Sequence, residues 1–378
     1  MENPTPDYDA LCIDTCIYEA HAFAFEKGLL KQLEQFAHIQ ISLVVPEIVH
    51  HELEKHLDDH VRAARSKVQR ALRLASNALM ITEQNLKIVE QIMLGEEDQR
   101  LCSVRLAAFY SRTKAELIPS SEAAMGRLVS MYFAAQAPFE TSGNKKSEFP
   151  DAIALLSLEE WAATSGCRVL VVTTDCGWRD FCEKSESLDS ISGLAEALAL
   201  FQPHHSAGAL IGELKDQLAL GHSGAIPNEI RDAIARAVDD AIVQAEASSS
   251  YILEERYVAA TYLGHEFHRD STGTPEIHLI RVATDGIVIQ LIATASCEVT
   301  AEYSLTLLDW DTPISRKKVA TTAEFTAEIV VTLSGELSRG LSGAHVERVD
   351  VEGYLEPVAF TDIDPDPERD EWDREKYS

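Results

Sequence analysis

Two short runs of the chain are apolar at every position: "ALCI" at 10–13 and "VLVV" at 169–172. A strand with one wet face alternates polar and apolar residues. A run without alternation reads as a strand covered on both faces, as in a parallel sheet between helices. Each run leads into an aspartate, Asp14 and Asp175. Helical spacing follows the first run over Phe23 to Ala37, and a further strand reads over Ile39 to Val45. Pro46 stands where helices begin, with Ile48, Val49, Leu53 and Leu57 at helical spacing behind it. "DAIALLSLEEWAATSG" reads as an apolar helix with Gly166 as its C-cap, and "CGWRDFCEK" opens another. This alternation predicts an α/β domain with a mainly parallel sheet over 1–205, with a helical insertion over about 60–135.

From Tyr251 the texture changes. "ERYVAATYLG", "IVIQLIATASCEVTAEYSLTLLDW" and "AEFTAEIVVTLSGEL" are rich in β-branched and aromatic residues, and several stretches alternate with period two. "ATDGIVI" sets Asp-Gly between two strands, a hairpin signal. These features predict a separate antiparallel β-domain over 251–360, reached through a helical connector, 206–250. The stretch 361–378 holds eight acids against three bases and reads as an acidic disordered tail.

Net charge is −29, which argues against a broad basic face for nucleic acid. The imbalance leans to the second half: 30 acids and 19 bases (−11) in 1–205, against 32 and 14 (−18) in 206–378. A local basic patch therefore remains open to the first half. No apolar run approaches the roughly 18–20 residues that span a bilayer, and "MENPTPDYDA" lacks the features of a signal peptide. Seven scattered cysteines without a CxxC pair read as reduced thiols of a cytoplasmic protein.

Ligands of parallel α/β sheets bind outside the carboxyl ends of the strands. Four acids fall near that edge: Asp14 and Asp175 after strands, Glu52 on the helix after "LVVPE", and Asp151 opening the helix "DAIALLSL". Each has an ordinary reading. Asp14 serves as a turn or N-cap residue, Asp151 complements a helix dipole, and Glu52 is a surface residue. Together they form a costly set, since four carboxylates at one edge repel one another unless hard cations such as Mg²⁺ or Mn²⁺ answer them. Two such ions activate water and hold both oxygens of an in-line phosphoryl displacement.

"CIDTC", "VVPEIVHHELEKH", "FPDAIALLSL" and "VVTTDCGWRDF" occur in the order of the motifs of PIN-domain nucleases, and residues 8–200 resemble that family. The likeness is nearest to bacterial PIN-like proteins with a further C-terminal domain. It implies a PIN-like three-layer domain and Asp14, Glu52, Asp151 and Asp175 as catalytic, metal-binding acids for one or two Mg²⁺ or Mn²⁺ ions. It also gives Asp180 the place of an additional acid, and Thr15 and Thr174 auxiliary places, with Thr173 or Thr174 orienting Asp175. Many members carry Asn or Ser where Cys16 stands, which puts one supporting hydrogen bond in question. Glu47 rivals Glu52 for the second acid; "HEL" after Ile48 and Val49 favours Glu52. The activity implied is hydrolysis of RNA phosphodiesters to a 5′-phosphate and a 3′-hydroxyl, with DNA as a possible substrate, in a toxin or bacterial defence effector.

No acid lies between Asp59 and Glu83, and Arg62, Arg65, Arg70 and Arg73 fall within an arc of about 140° on a helix, with Lys67 among them. This stripe reads equally as a phosphate-binding face or as a solvated face paired with acids elsewhere. Lys145 and Lys146 form a second basic candidate, and Arg179 stands close to Asp175. His50, His51, His56 and His60 suggest a metal box, but "HELEKH" sets its second His one residue too late for the zincin pattern. A dehalogenase-type phosphatase needs a second Asp where Cys16 stands. The competing reading is a catalytically reduced module acting through its β-domain, whose strand edges suit a protein partner or self-association.

Overall fold

A computed structural model describes residues 8–79, 83–94, 98–139, 148–202, 208–219, 224–283, 286–306, 315–361 and 363–364. The chain divides into two compact units, Met1–Phe201 and Gln202–Ser378.

The first unit is built on five parallel strands: β1 (Ala10–Ile13), β2 (Ser42–Pro46), β3 (Glu116–Ile118), β4 (Val169–Val172) and β5 (Leu188–Ile191). Their order is β3-β2-β1-β4-β5. Every residue of β1 and β4 is buried, as their unbroken apolar sequences require. The two pair from Ala10 opposite Val169 to Ile13 opposite Val172. The chain moves one way from β1 to β3 and resumes on the other side of β1 with β4. The strand order therefore reverses between β1 and β4, which opens a crevice at their carboxyl ends.

Sequence reading found three of these strands. β3 ("ELI") and β5 ("LDSI") are edge strands, largely exposed or half-buried, so neither shows an apolar run. β3 lies inside the stretch 60–135 expected to be helical. The helix expected from Phe23 begins at Gly28, because Ala22 and Phe23 take left-handed backbone angles, φ 48° and 53°.

The helix after β2 runs unbroken over Glu47–Leu79. Val49, Leu53, Leu57 and Val61 form its buried stripe; beyond Val61 no residue described is fully buried, and Leu74 is exposed. Helices follow at Glu83–Leu94, Asp98–Thr113 and Met125–Ala134. Phe109 locks the third of these four helices against Phe25, with ring centroids 4.6 Å apart. The helix Phe149–Ser165 ends at Gly166, whose φ of 65° is the left-handed cap that glycine adopts without strain.

The second unit is an antiparallel sheet of β7 (Ile252–Phe267), β8 (His278–Val282), β9 (Gly286–Thr306), β10 (Ser315–Gly335) and β11 (Ala344–Leu355). β6 (Ala245–Ala247) and β12 (Val358–Phe360) pair beside it in parallel, an exception to the antiparallel expectation. β8 and β9 pair with Val282 opposite Ile287, the hairpin that Asp-Gly signals. β9 buries every second residue from Leu291 to Tyr303 and offers the intervening ones towards solvent. The helices Gly208–Ala219 and Ala225–Asp239 fall in the stretch expected as a connector, yet Leu214, Ile226, Ile230, Ile234 and Val238 belong to the core under this sheet. An i, i+4 apolar stripe on the second helix provides that burial. Ile363 is fully buried and Asp364 accepts hydrogen bonds from Ser249 and Ser250, so the first residues of the expected tail are packed. Residues 365–378 and the lysines 145 and 146 lie outside the described residues. No described helix is long and apolar enough to cross a membrane, and all seven cysteines are free thiols.

Ile230→Ala is expected to lower the unfolding free energy by about 2–5 kcal/mol, since it empties a fully buried position on the sheet. The exposed neighbour change Glu229→Ala is expected to stay within about 0.5 kcal/mol. Urea titrations of both variants check the contrast; equal midpoints would show that this helix is not part of the cooperative core.

Candidate active site at the carboxyl edge of the sheet

β1 ends one residue before Asp14, which is only 6% exposed. Two donors converge on its Oδ2: the Thr173 hydroxyl at 2.7 Å and the Cys16 thiol at 2.9 Å. Thr173 is fully buried just past β4, and its Oγ1 also accepts the backbone N–H of Asp175 at 3.0 Å. One hydroxyl thus joins the first and last acids. Asp175 caps the helix Cys176–Cys182, accepting from the Trp178 backbone N–H at 3.0 Å. Gly177 leaves room for this turn: a Cβ there would sit 3.1 Å from both Asp175 Oδ1 and Pro138. The Trp178 indole, 1% exposed, donates to Asp151 Oδ1 at 2.8 Å. Thr15 donates to Glu52 Oε2 at 2.8 Å.

Each of the four carboxylates therefore has one oxygen fixed by this chain's own donors. The Thr15 backbone N–H also acts on Asp14, and among the described residues no Lys, Arg or His forms an ion pair with any of the four. Burial pushes the Asp151 carboxyl up to about 6. The Trp178 hydrogen bond opposes this, and the charges of Glu52, Asp14 and Asp175 add to it. Asp14 is also raised, chiefly by burial and further by Asp175, against the donors Cys16 and Thr173. The charges of the other three thus reach Asp151, and that of Asp175 reaches Asp14.

They do not form one closed ligand shell. The tight groups of possible ligand atoms among the described residues, within 4.8 Å of one another, lie elsewhere. An open ring of carboxylate oxygens suits a hard cation that retains waters, as Mg²⁺ and Mn²⁺ do, better than a compact soft-ligand site. Burial and the Asp14 charge raise the Cys16 thiol, which keeps it protonated as a donor. Sulfur thus provides the hydrogen bond that Cys16 had put in question.

The remaining candidates sit as follows. Glu47 accepts from the Ser120 backbone N–H at 2.8 Å and from the Ser120 hydroxyl, and these bonds hold it below the usual carboxylate range. Its carboxylate clamps the turn after β3, while Glu52 faces the other acids. Thr174 is exposed, and its hydroxyl meets Cys16 Sγ at 3.4 Å. Of the two threonines before Asp175, it is Thr173 whose hydroxyl meets that residue's backbone N–H. Asp180 is exposed on the helix after Asp175 and is not among the charges acting on Asp14 or Asp151. Arg179 is exposed; its hydrogen bond to Cys176 and the charges of Asp180 and Asp175 hold its protonated form. Arg62 pairs with Asp58 and Arg65 with Asp98, so half of the arginine stripe is already neutralised. Lys67, Arg70 and Arg73 are exposed and have no acidic partner among the described residues.

Sequence reading missed the roles of Trp178 and Cys16. A tryptophan three residues after an acid has no motif value by itself. Its signal is chemical: an indole N–H buried beside a site needs an acceptor.

A parallel α/β sheet thus carries four acids at its switch point, where ligands of such sheets bind. Residues 11–178 match the family model described as PIN domain, and this part of the chain is a PIN domain. PIN domains are generally nucleases, so the domain belongs to a class of nucleic-acid hydrolases. No curated protein and no solved structure matches the chain.

The raised Asp151 fixes a sign. Its carboxyl keeps a proton up to about pH 6 in the fold, whereas an unfolded Asp releases it near 4. Its contribution to stability is thus fully present below about pH 4 and lost as pH rises through about 6. In chelator, wild type is expected to lose thermal stability relative to Asp151→Asn across that window. A constant difference between the two melting curves from pH 4 to 7 would contradict the burial assigned to Asp151.

Proposed function

We propose that the PIN domain is a divalent-cation-dependent endoribonuclease, with Asp14, Glu52, Asp151 and Asp175 as the residues that hold Mg²⁺ or Mn²⁺. The observation that supports this reading is the convergence of four acids, none of them in an ion pair with a described Lys, Arg or His. A cation bound there supplies Lewis-acid activation of water and neutralises charge on the scissile phosphate. The chain's own share is positional. Thr173 and Cys16 fix Asp14, Thr15 fixes Glu52, and Trp178 fixes Asp151 by its indole and Asp175 by its backbone. With one oxygen of each acid held, the other is presented to the crevice. Arg179, exposed beside Asp175, is suited to a phosphate oxygen. Lys67, Arg70 and Arg73 offer a sequence-independent track for the RNA backbone. Asp180 remains the proposed extra acid on the rim.

Asp14→Asn and Asp175→Asn are expected to reduce Mg²⁺- or Mn²⁺-dependent cleavage of single-stranded RNA by about 10²-fold or more, with far-UV circular dichroism unchanged. Cleavage at the wild-type rate by both variants would remove the assignment. Calorimetric titration with Mn²⁺ separates this reading from a reduced binding module, which would take up the ion weakly in wild type too. Exchanging Lys67, Arg70 and Arg73 for Gln is expected to weaken RNA binding about equally across sequences. The slope of log K against log salt should fall by roughly one per lost contact; an unchanged slope excludes the stripe from the interface.

The second unit is proposed to engage a protein partner or a second copy of the chain. The exposed Tyr257 and Leu263 on β7 and Tyr354 on β11 stand at the two edges of its sheet. A nuclease joined to such a unit suits a toxin or defence effector. Induced expression is then expected to arrest bacterial growth for wild type and not for Asp14→Asn; equal growth of both strains counts against the effector role.

A further inference from the structure

The helix Glu47–Leu79 carries a second group of ligating side chains that the four-acid centre does not use. His50, His51 and Glu54 bring one ligand atom each within 4.8 Å of the others. His50 Nε2 lies 3.9 Å from Glu54 Oε1, and His51 Nδ1 lies 3.4 Å from Glu54 Oε2. A tetrahedral zinc ion with bonds of 2.0–2.1 Å sets its ligand atoms about 3.3 Å apart. The two imidazole-to-carboxylate distances lie within about 0.6 Å of that spacing, each to one of the two Glu54 oxygens.

Three further observations point to a ligand. The Tyr110 hydroxyl meets His50 Nδ1 at 3.0 Å, which fixes the ring and leaves Nε2 towards Glu54. A metal-binding imidazole is held by its other nitrogen in this way. His51 and Glu54, though not His50, line a cavity of about 410 Å³ together with Lys55, Asp58, Gln99, Cys102 and Ser103. Asp58 Oδ1, in that lining, is buried without a hydrogen-bond partner, while Oδ2 pairs with Arg62. Two imidazoles and a carboxylate beside an unanswered oxygen select a borderline first-row cation over Mg²⁺, which prefers oxygen alone. The ordinary alternative, surface pairing of Glu54 with its helix neighbours, explains neither the oriented His50 ring nor the orphaned Asp58 oxygen.

We propose that His50, His51 and Glu54 form a zinc-type cation site, distinct from the four-carboxylate centre, with one coordination position open to the adjacent cavity.

The test uses the full-length protein with excess Mg²⁺ present to occupy the carboxylate centre. Calorimetric titration with Zn²⁺ is expected to give one equivalent of tight binding, and Co²⁺ should develop the visible absorption of a tetrahedral site. His51 is exposed, so His51→Ala is expected to fold as wild type and to lose Zn²⁺ affinity by at least about 100-fold, beyond the 10–100-fold of an orienting partner. Glu54→Gln should behave alike, while Asp14→Asn should retain the equivalent. The proposal is overturned if wild type binds no Zn²⁺ under these conditions. It is equally overturned if His51→Ala and Glu54→Gln bind Zn²⁺ as wild type does, or if the equivalent disappears in Asp14→Asn instead.

Discussion

The Asp14 backbone N–H donates to the Val172 carbonyl at 3.0 Å, one step beyond the last paired residues of β1 and β4. This bond extends the parallel ladder past the apolar core and sets Asp14 and Thr173 side by side. The Thr173 hydroxyl then reaches Asp14 and receives Asp175. Two acids separated by about 160 residues of chain are thereby held by backbone pairing, not by a flexible loop. Glu52 and Asp151 stand on helices that start near the same edge, and their positions follow once the sheet is assembled.

This arrangement carries a standing electrostatic cost. A buried carboxylate loses hydration and neighbouring charges add to the loss, three of them at Asp151 and one, Asp175, at Asp14. The chain offsets it with neutral donors from Thr173, Cys16, Thr15 and Trp178, and none of the four acids forms an ion pair among the described residues. A lysine or arginine in the ring would settle the charge permanently and leave nothing for an ion to do. Neutral donors fix the geometry while leaving the net charge for a diffusible cation. Strongly perturbed acids around a crevice are a functional signature for this reason.

Much of the frame was legible because burial on both faces writes itself into sequence. β1 and β4 contain no polar residue, and the acids at their ends could be located by counting. The hairpin at Asp-Gly and the period-two strands of the second unit were legible on the same ground, one wet face alternating with one dry. β3 and β5 were not, since edge strands of three and four residues with polar positions look like loops. The choice between Thr173 and Thr174 turned on one residue of register. Side chains alternate just past β4, so the buried Thr173 supports the acids and the exposed Thr174 does not. Whether the helical stretch after residue 206 is a linker or a covering layer was also invisible locally, because its apolar stripe does not name the surface it meets.

Charge along the long helix shows how three-dimensional context redistributes what a stripe implies. By composition its arginines form one basic face, yet they do not remain one. Arg62 and Arg65, nearest the acid-bearing turns, are taken up by Asp58 and Asp98, and these pairs tie the helix to itself and to the helix Asp98–Thr113. Lys67, Arg70 and Arg73, past the last buried turn, keep their charge in solvent. The same helix thus divides by depth. Its first turns present acids and imidazoles in a partly desolvated setting. Its distal turns present cations where attraction is long-ranged, screened by salt and indifferent to sequence. Under the proposed function, a polyanion drawn to the distal turns would meet the four carboxylates only where a divalent cation had reversed their sign, so metal loading would be a condition for productive binding as well as for chemistry.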